Sequence, residues 1–152
     1  MGYEEVGRHL SDMPLPGNFL SMLLLPVRVG SSSIHGLGLF TVSRVLRGTP
    51  IWRLEPEYDR IIPMTLWKQL PAPALEHLRG YAFFRGEDRC YVKSGDFACF
   101  MNHSTSPTTG VLGEAVGPVV TVALRDLEPD EELTCDYWTF DAEAAWKLGQ
   151  AA

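Results

Sequence analysis

A mostly β domain interrupted by a few short helices is the fold class this chain predicts. Short apolar, β-branched stretches recur along it, each cut off by Gly, Pro, Asp or Ser, and only two internal segments carry helical patterns. A length of 152 residues, with 45% apolar and 21% charged residues, suits one globular domain with a real core.

Residues 1–20 carry mixed charge, two prolines and Gly17 without a sustained period, and read as an N-terminal leader. The domain proper is expected over 21–140. Its first strand runs from Met22 to Val29 and is broken by the turn chemistry of Gly30-Ser31-Ser32-Ser33. Further strands are expected at Gly38 to Val42, Thr49 to Leu54, Gly80 to Phe84, Cys90 to Val92, Val119 to Leu124 and Leu133 to Cys135. Helices are expected at Met64 to Leu70 and Ala74 to Leu78, with Pro63 and Pro73 as entry residues. A short C-terminal helix over 141–152 closes the domain: Asp141 caps it, Trp146 and Leu148 supply its apolar side, and Gly149 stops it.

Composition narrows the function. A formal charge of −6 leaves no surplus of Lys and Arg to neutralise phosphates, so direct nucleic-acid binding is not expected and a basic protein or peptide is the better partner. Three cysteines, Cys90, Cys99 and Cys135, form neither a CxxC pair nor an even set, which argues for reduced thiols and a cytoplasmic setting. The apolar run from Phe19 to Val27 is broken by Ser21 and Pro26 and is far shorter than the roughly 20 residues a membrane span needs. No membrane role is expected.

Three clusters carry chemistry. In Ile34-His35-Gly36-Leu37-Gly38-Leu39-Phe40, two glycines flank one residue between a turn and a strand, where positive φ or close backbone approach to a ligand is possible. Alone, this pattern equally describes a tight turn or a bulge, and it lacks the third glycine and following helix of a dinucleotide site. In Asp96 to Ser104, an apolar stretch runs into Asn102-His103-Ser104, placing hydrogen-bonding groups at a core edge; alone, it equally describes a capped helix end. The third cluster, Ala123 to Leu127, a turn at Glu128-Pro129-Asp130, and Glu131 to Tyr137, reads as a hairpin ending in a tyrosine.

In this order, the three clusters together resemble the SET domain of protein lysine methyltransferases, over roughly residues 24 to 140. The resemblance implies small curved sheets around a pseudoknot (a β-clip), S-adenosyl-L-methionine as cofactor, and methyl transfer to the side-chain amine of lysine in a protein substrate. It implies that Gly36, Leu37 and Gly38 contact the cofactor through their backbone and that Asn102 and His103 hold it. Tyr137 then matches the family's catalytic tyrosine, while Tyr81, Phe83 and Cys135 fall where the family lines its lysine channel.

The chain departs from that family in two places. Many members bind zinc with a cysteine just past Asn-His-Ser and others after the domain; here Thr105 stands at the first position and no cysteine follows Cys135, so no metal is expected. Residues 138–149, or a second copy in a homodimer, must then close the channel. Cys135 also replaces the Phe or Tyr common two positions before the catalytic tyrosine, which implies tolerance of di- or trimethylation. Two other readings compete: a SET-like binding module that holds cofactor or a basic peptide without turnover, and a Cys-His hydrolase using Cys99 and His103.

Overall fold

The computed structural model describes residues 22–111 and 120–150. In chain order its elements are β1 (Val27–Ser31), β2 (Leu37–Thr41), β3 (Pro50–Arg53), β4 (Arg60–Pro63), α1 (Met64–Trp67), α2 (Ala72–Tyr81), β5 (Ala82–Arg85), β6 (Cys90–Lys93), β7 (Asn102–His103), β8 (Thr109–Gly110), β9 (Val120–Ala123), β10 (Glu132–Cys135) and α3 (Ala144–Lys147). Single 3-10 turns cover Phe97–Phe100 and Tyr137–Thr139. The leader expected over 1–20 lies outside the described residues.

Three small sheets result, ordered β1-β2-β10-β7, β3-β9-β8 and β4-β6-β5. The mostly β expectation holds. Leu39, Ile51, Leu127 and Leu133 are fully buried where the first two sheets meet, joined by Met22, Val45, Trp52, Met101 and Ala123. A smaller core under α1 and α2 is built on Trp67, Ala82 and Tyr91, with the Trp67 and Tyr91 rings stacked 3.6 Å apart. One pairing matters most for function: β7 lies parallel to β10, with Asn102 opposite Thr134 and His103 opposite Cys135. Parallel neighbours cannot be joined by a tight turn, so segments distant in sequence meet here.

Several expected elements differ in the structure; the first helix, expected to Leu70, ends at Trp67, and the second, expected over Ala74 to Leu78, spans Ala72–Tyr81. The strand placed at Gly80 to Phe84 begins at Ala82, because α2 runs on through Gly80 and Tyr81, whose ring packs on His77 one turn back, 5.0 Å between centroids. The strand placed from Met22 begins at Val27; before it, Leu23 forms an isolated bridge to Trp52 and gives its N–H to the Asp96 carboxylate, and Pro26 lacks the N–H a ladder needs. The expected hairpin does not form. β9 pairs with β3 and β8, whereas β10 pairs with β2 and β7, because the connection is held elsewhere: Val45 bridges Leu127, and the Asp130 N–H donates to the Thr41 carbonyl. Finally, the closing helix spans only Ala144–Lys147, its cap position is Glu143, and its buried residue is Ala144, while Trp146 stays exposed beneath the Arg79 guanidinium at 3.8 Å. Asp141 sits before the helix and accepts from the Glu143 N–H. Gly149 does end it, with φ at +66°.

Candidate active site

The turn between β1 and β2 is shaped by its own polar groups. Ser32 Oγ accepts the Ile34 and His35 N–H groups, and the Ser32 N–H donates to the Gly36 carbonyl, which bends the chain through Gly36 at φ +49°. At Gly36 an added Cβ would meet nothing within 4 Å, so the outer face of the turn is open. Gly38 is required for a different reason: a Cβ there would fall 2.3 Å from Glu132 Oε1.

Glu132 cannot simply move aside. Its carboxylate accepts from Ser32 Oγ at 2.8 and 3.0 Å and from Asn102 Nδ2 at 2.9 Å. The same Asn102 amide, almost fully buried, also donates to the carbonyls of His35 and Leu37 at 3.1 and 3.0 Å. With three acceptors facing one NH2 group, its orientation is fixed, and Asn102 ties the glycine turn to β7.

A second tie joins β7 to the end of β10. The Tyr137 N–H donates to His103 Nδ1 at 3.2 Å, so the ring's own N–H is carried on Nε2. The Tyr137 hydroxyl donates to the Met101 carbonyl at 2.8 Å. Its oxygen lone pairs therefore keep a fixed direction. Burial, reinforced by Cys135 and Asp141 nearby, pushes the phenol well above its ordinary value, so it stays neutral throughout the physiological range.

Phe140 packs edge-on against both Phe83 and Tyr137, at 5.2 and 6.0 Å between centroids, which makes Phe83 part of an aromatic wall beside the tyrosine. Tyr81 sits at the end of α2, exposed, with its ring edge-on to Phe100 at 5.8 Å. Cys135 is partly buried against the main core, and burial raises its thiol to about 12. Burial raises the Cys99 thiol too, and His103 Nδ1 is already occupied by the Tyr137 N–H; the hydrolase reading therefore has neither an activated nucleophile nor a free base.

The SET domain family profile matches residues 36–138, most of the chain. This chain belongs to the SET-domain family. It is 30% identical over 126 residues to a Candida albicans histone-lysine N-methyltransferase specific for H3 lysine-4, a match covering 79% of this chain and 12% of that protein. Among solved structures, the Neurospora SET domain protein DIM-5, a histone lysine methyltransferase, superposes with a TM-score of 0.52 at 18% identity, over 75% of this chain and 52% of that one. KRYPTONITE, solved with DNA, an H3(1-15) peptide and SAH, gives a TM-score of 0.52 at 21% identity, over 76% of this chain and 24% of its own. These likenesses establish the SET fold.

Within the SET domain, the three sequence clusters converge on one side of the β1-β2-β10-β7 sheet. Three participants escaped the sequence reading: Glu132, the Met101 carbonyl and Asp141. Glu132 and Asp141 had a signal, since a carboxylate in or beside an apolar strand usually serves a buried donor. A backbone carbonyl has none. Among the described residues, no group of three or more His, Cys, Asp or Glu side chains could hold a metal ion. An open groove of about 530 Å³ between α1, α2 and α3 is lined by Trp67, Tyr91, Arg79 and Trp146, and none of the motif residues lines it.

Proposed function

We propose that this SET domain transfers methyl groups from S-adenosyl-L-methionine to the side-chain amine of lysine in a basic protein or peptide. The observation that carries the reading is the double tie through β7: Asn102 to the glycine turn on one side, His103 and Met101 to Tyr137 on the other. The residues present suit the cofactor. The open face at Gly36, the exposed Leu37 and the exposed Trp138 offer backbone and apolar surface beside the polar groups of β7. In this reading Gly36, Leu37 and Gly38 meet the cofactor through the backbone, and Asn102 and His103 hold it. When bound, S-adenosylmethionine supplies a methyl carbon made electrophilic by a cationic sulfur.

The chain's own residues then have little chemistry to do beyond placement. An in-line displacement needs donor, carbon and leaving group held in line, which is worth more than any acid or base. The Tyr137 hydroxyl, its proton committed to the Met101 carbonyl, would turn its oxygen lone pairs to a cationic sulfur, an electrostatic role that a neutral phenol can fill without acting as a general base. The lysine must arrive as the free amine, although its ordinary pKa is about 10.4. An apolar wall of Phe83 and Phe140 favours the uncharged form by withholding water. Cys135, small and without a phenol, leaves room beside Tyr137 for an amine that already carries methyl groups.

The substrate is read from charge: a chain with a formal charge of −6 attracts a basic segment, and KRYPTONITE was solved with a histone H3 peptide. The three unpaired cysteines support a reducing, cytoplasmic setting. Against the binding-module alternative, Thr108 beyond the Asn-His-Ser cluster is buried and exchanges hydrogen bonds with Thr134 on β10, a structural duty that leaves the site intact. Tyr137→Phe is the direct test. Turnover of a lysine peptide should fall by about 10²–10³ or more while cofactor binding by calorimetry stays within a few fold; turnover near the wild-type rate would remove Tyr137 from the mechanism.

A further inference from the structure

We propose that Lys147 is a lysine held in cis in the acceptor-lysine site, its ammonium pinned there by the Asp141 carboxylate and the Ala82 carbonyl, and that it must leave with α3 before a substrate lysine can enter. This inference rests on the channel reading given above for Phe83, Cys135 and Tyr137.

Lys147 does not behave as a surface lysine. Its side chain is only 13% exposed, and its Nζ lies 2.7 Å from Oδ2 of Asp141, whose side chain is 1% exposed. The ammonium also donates to the Ala82 carbonyl at the start of β5 and stands 5.5 Å from the centre of the Tyr137 ring. A lysine side chain reaching an aromatic face is what a lysine channel has to accommodate. Phe140 joins that same ring to Phe83 on β5. The positive charge is also felt at Cys135, where it opposes the rise in the thiol's pKa.

Holding the C-terminal segment in place does not need this lysine. Asp141 Oδ1 already accepts the Phe84 and Glu143 N–H groups, and the Ala142 N–H donates to the Phe84 carbonyl. Glu143 accepts twice from Arg79 and once from the Tyr91 hydroxyl. Ala144 is buried beneath them. Asp141 Oδ2 is the oxygen left over, and Lys147 is what meets it. A buried ion pair costs both partners their hydration and is a weak way to gain stability, so its position beside the catalytic tyrosine calls for another account. Paired with Asp141, the ammonium has no lone pair to donate. It fills the place without reacting, and an incoming lysine must displace it together with the four-residue α3.

The test compares wild type with Lys147→Met, which keeps the length and apolar stem and removes the charge, using a lysine-bearing histone H3 tail peptide. The peptide KM should fall about tenfold with kcat within twofold. An unchanged KM, or one that rises alongside a lower melting temperature, would mark Lys147 as a structural tie and overturn the proposal. A second measurement does not depend on turnover: acetic anhydride labelling read by mass spectrometry. In the free protein Lys147 should label at least tenfold more slowly than the exposed Lys68, and saturating peptide should bring the two rates together. Equal rates without peptide, or protection that bound peptide leaves untouched, would each refute it. Failure of the channel reading itself would show separately, as full turnover by Tyr137→Phe.

Discussion

Replacing Asn102 by Asp changes one NH2 group into an oxygen and tests the network that holds the glycine turn. In the wild type, Nδ2 lies 2.9 Å from Glu132 Oε1 and donates also to two carbonyls. The substitution sets a carboxylate against a carboxylate at that distance. With an effective dielectric constant near 20, two such charges repel by about 6 kcal/mol. Taking up one proton at pH 7 costs a carboxyl with an ordinary pKa near 4 only about 4 kcal/mol, so the folded variant binds a proton that its unfolded chain does not. Its destabilisation therefore grows with pH, from about 1.4 kcal/mol at pH 5 to about 4 kcal/mol at pH 7. For a domain of this size, roughly 3–4 °C per kcal/mol puts the melting-temperature gap near 5 °C at pH 5 and 12–16 °C at pH 7. Differential scanning fluorimetry of both proteins across that range is sufficient. A gap of the same size at both pH values would refute the reasoning, because it would mean that the Asn102 amide does not face the Glu132 carboxylate.

Two further outcomes concern the cysteines, of which Cys135 ends the last strand. Cys135→Tyr should restrict the product towards monomethyl-lysine, read by mass spectrometry of the peptide, and an unchanged product distribution would remove Cys135 from the channel. Burial raises the Cys135 thiol to about 12 and the Cys99 thiol above its ordinary value, so both give up their protons less readily than a free thiol. Iodoacetamide at pH 8 should therefore modify Cys90 first, and equal rates at all three positions would contradict the burial described here.

Much of the site was legible in the sequence because its local parts are local. Gly36 announces a positive φ, and Asn102-His103 announces polar groups at the end of an apolar run. The element boundaries that failed did so where tertiary contacts override propensity. Tyr81 continues α2 because its ring finds His77, and β10 leaves β9 because Leu127 and Asp130 are anchored to the segment around β2. A hairpin is the cheapest pairing for neighbouring strands, yet here two other partners outbid it for each strand.

What the sequence determined on its own is the chemistry available: a glycine turn, an Asn-His pair, a tyrosine after the last strand, and an acidic balance. Each is a property of a residue and its immediate neighbours. Only the tertiary structure decided that β7 runs parallel to β10, that Glu132 is the acceptor which makes Gly38 obligatory, and that Lys147 pairs with Asp141 and the Ala82 carbonyl beside the Tyr137 ring. Those facts depend on segments separated by up to a hundred residues being packed together, and no local pattern records which carboxylate a buried amide or a buried lysine will meet.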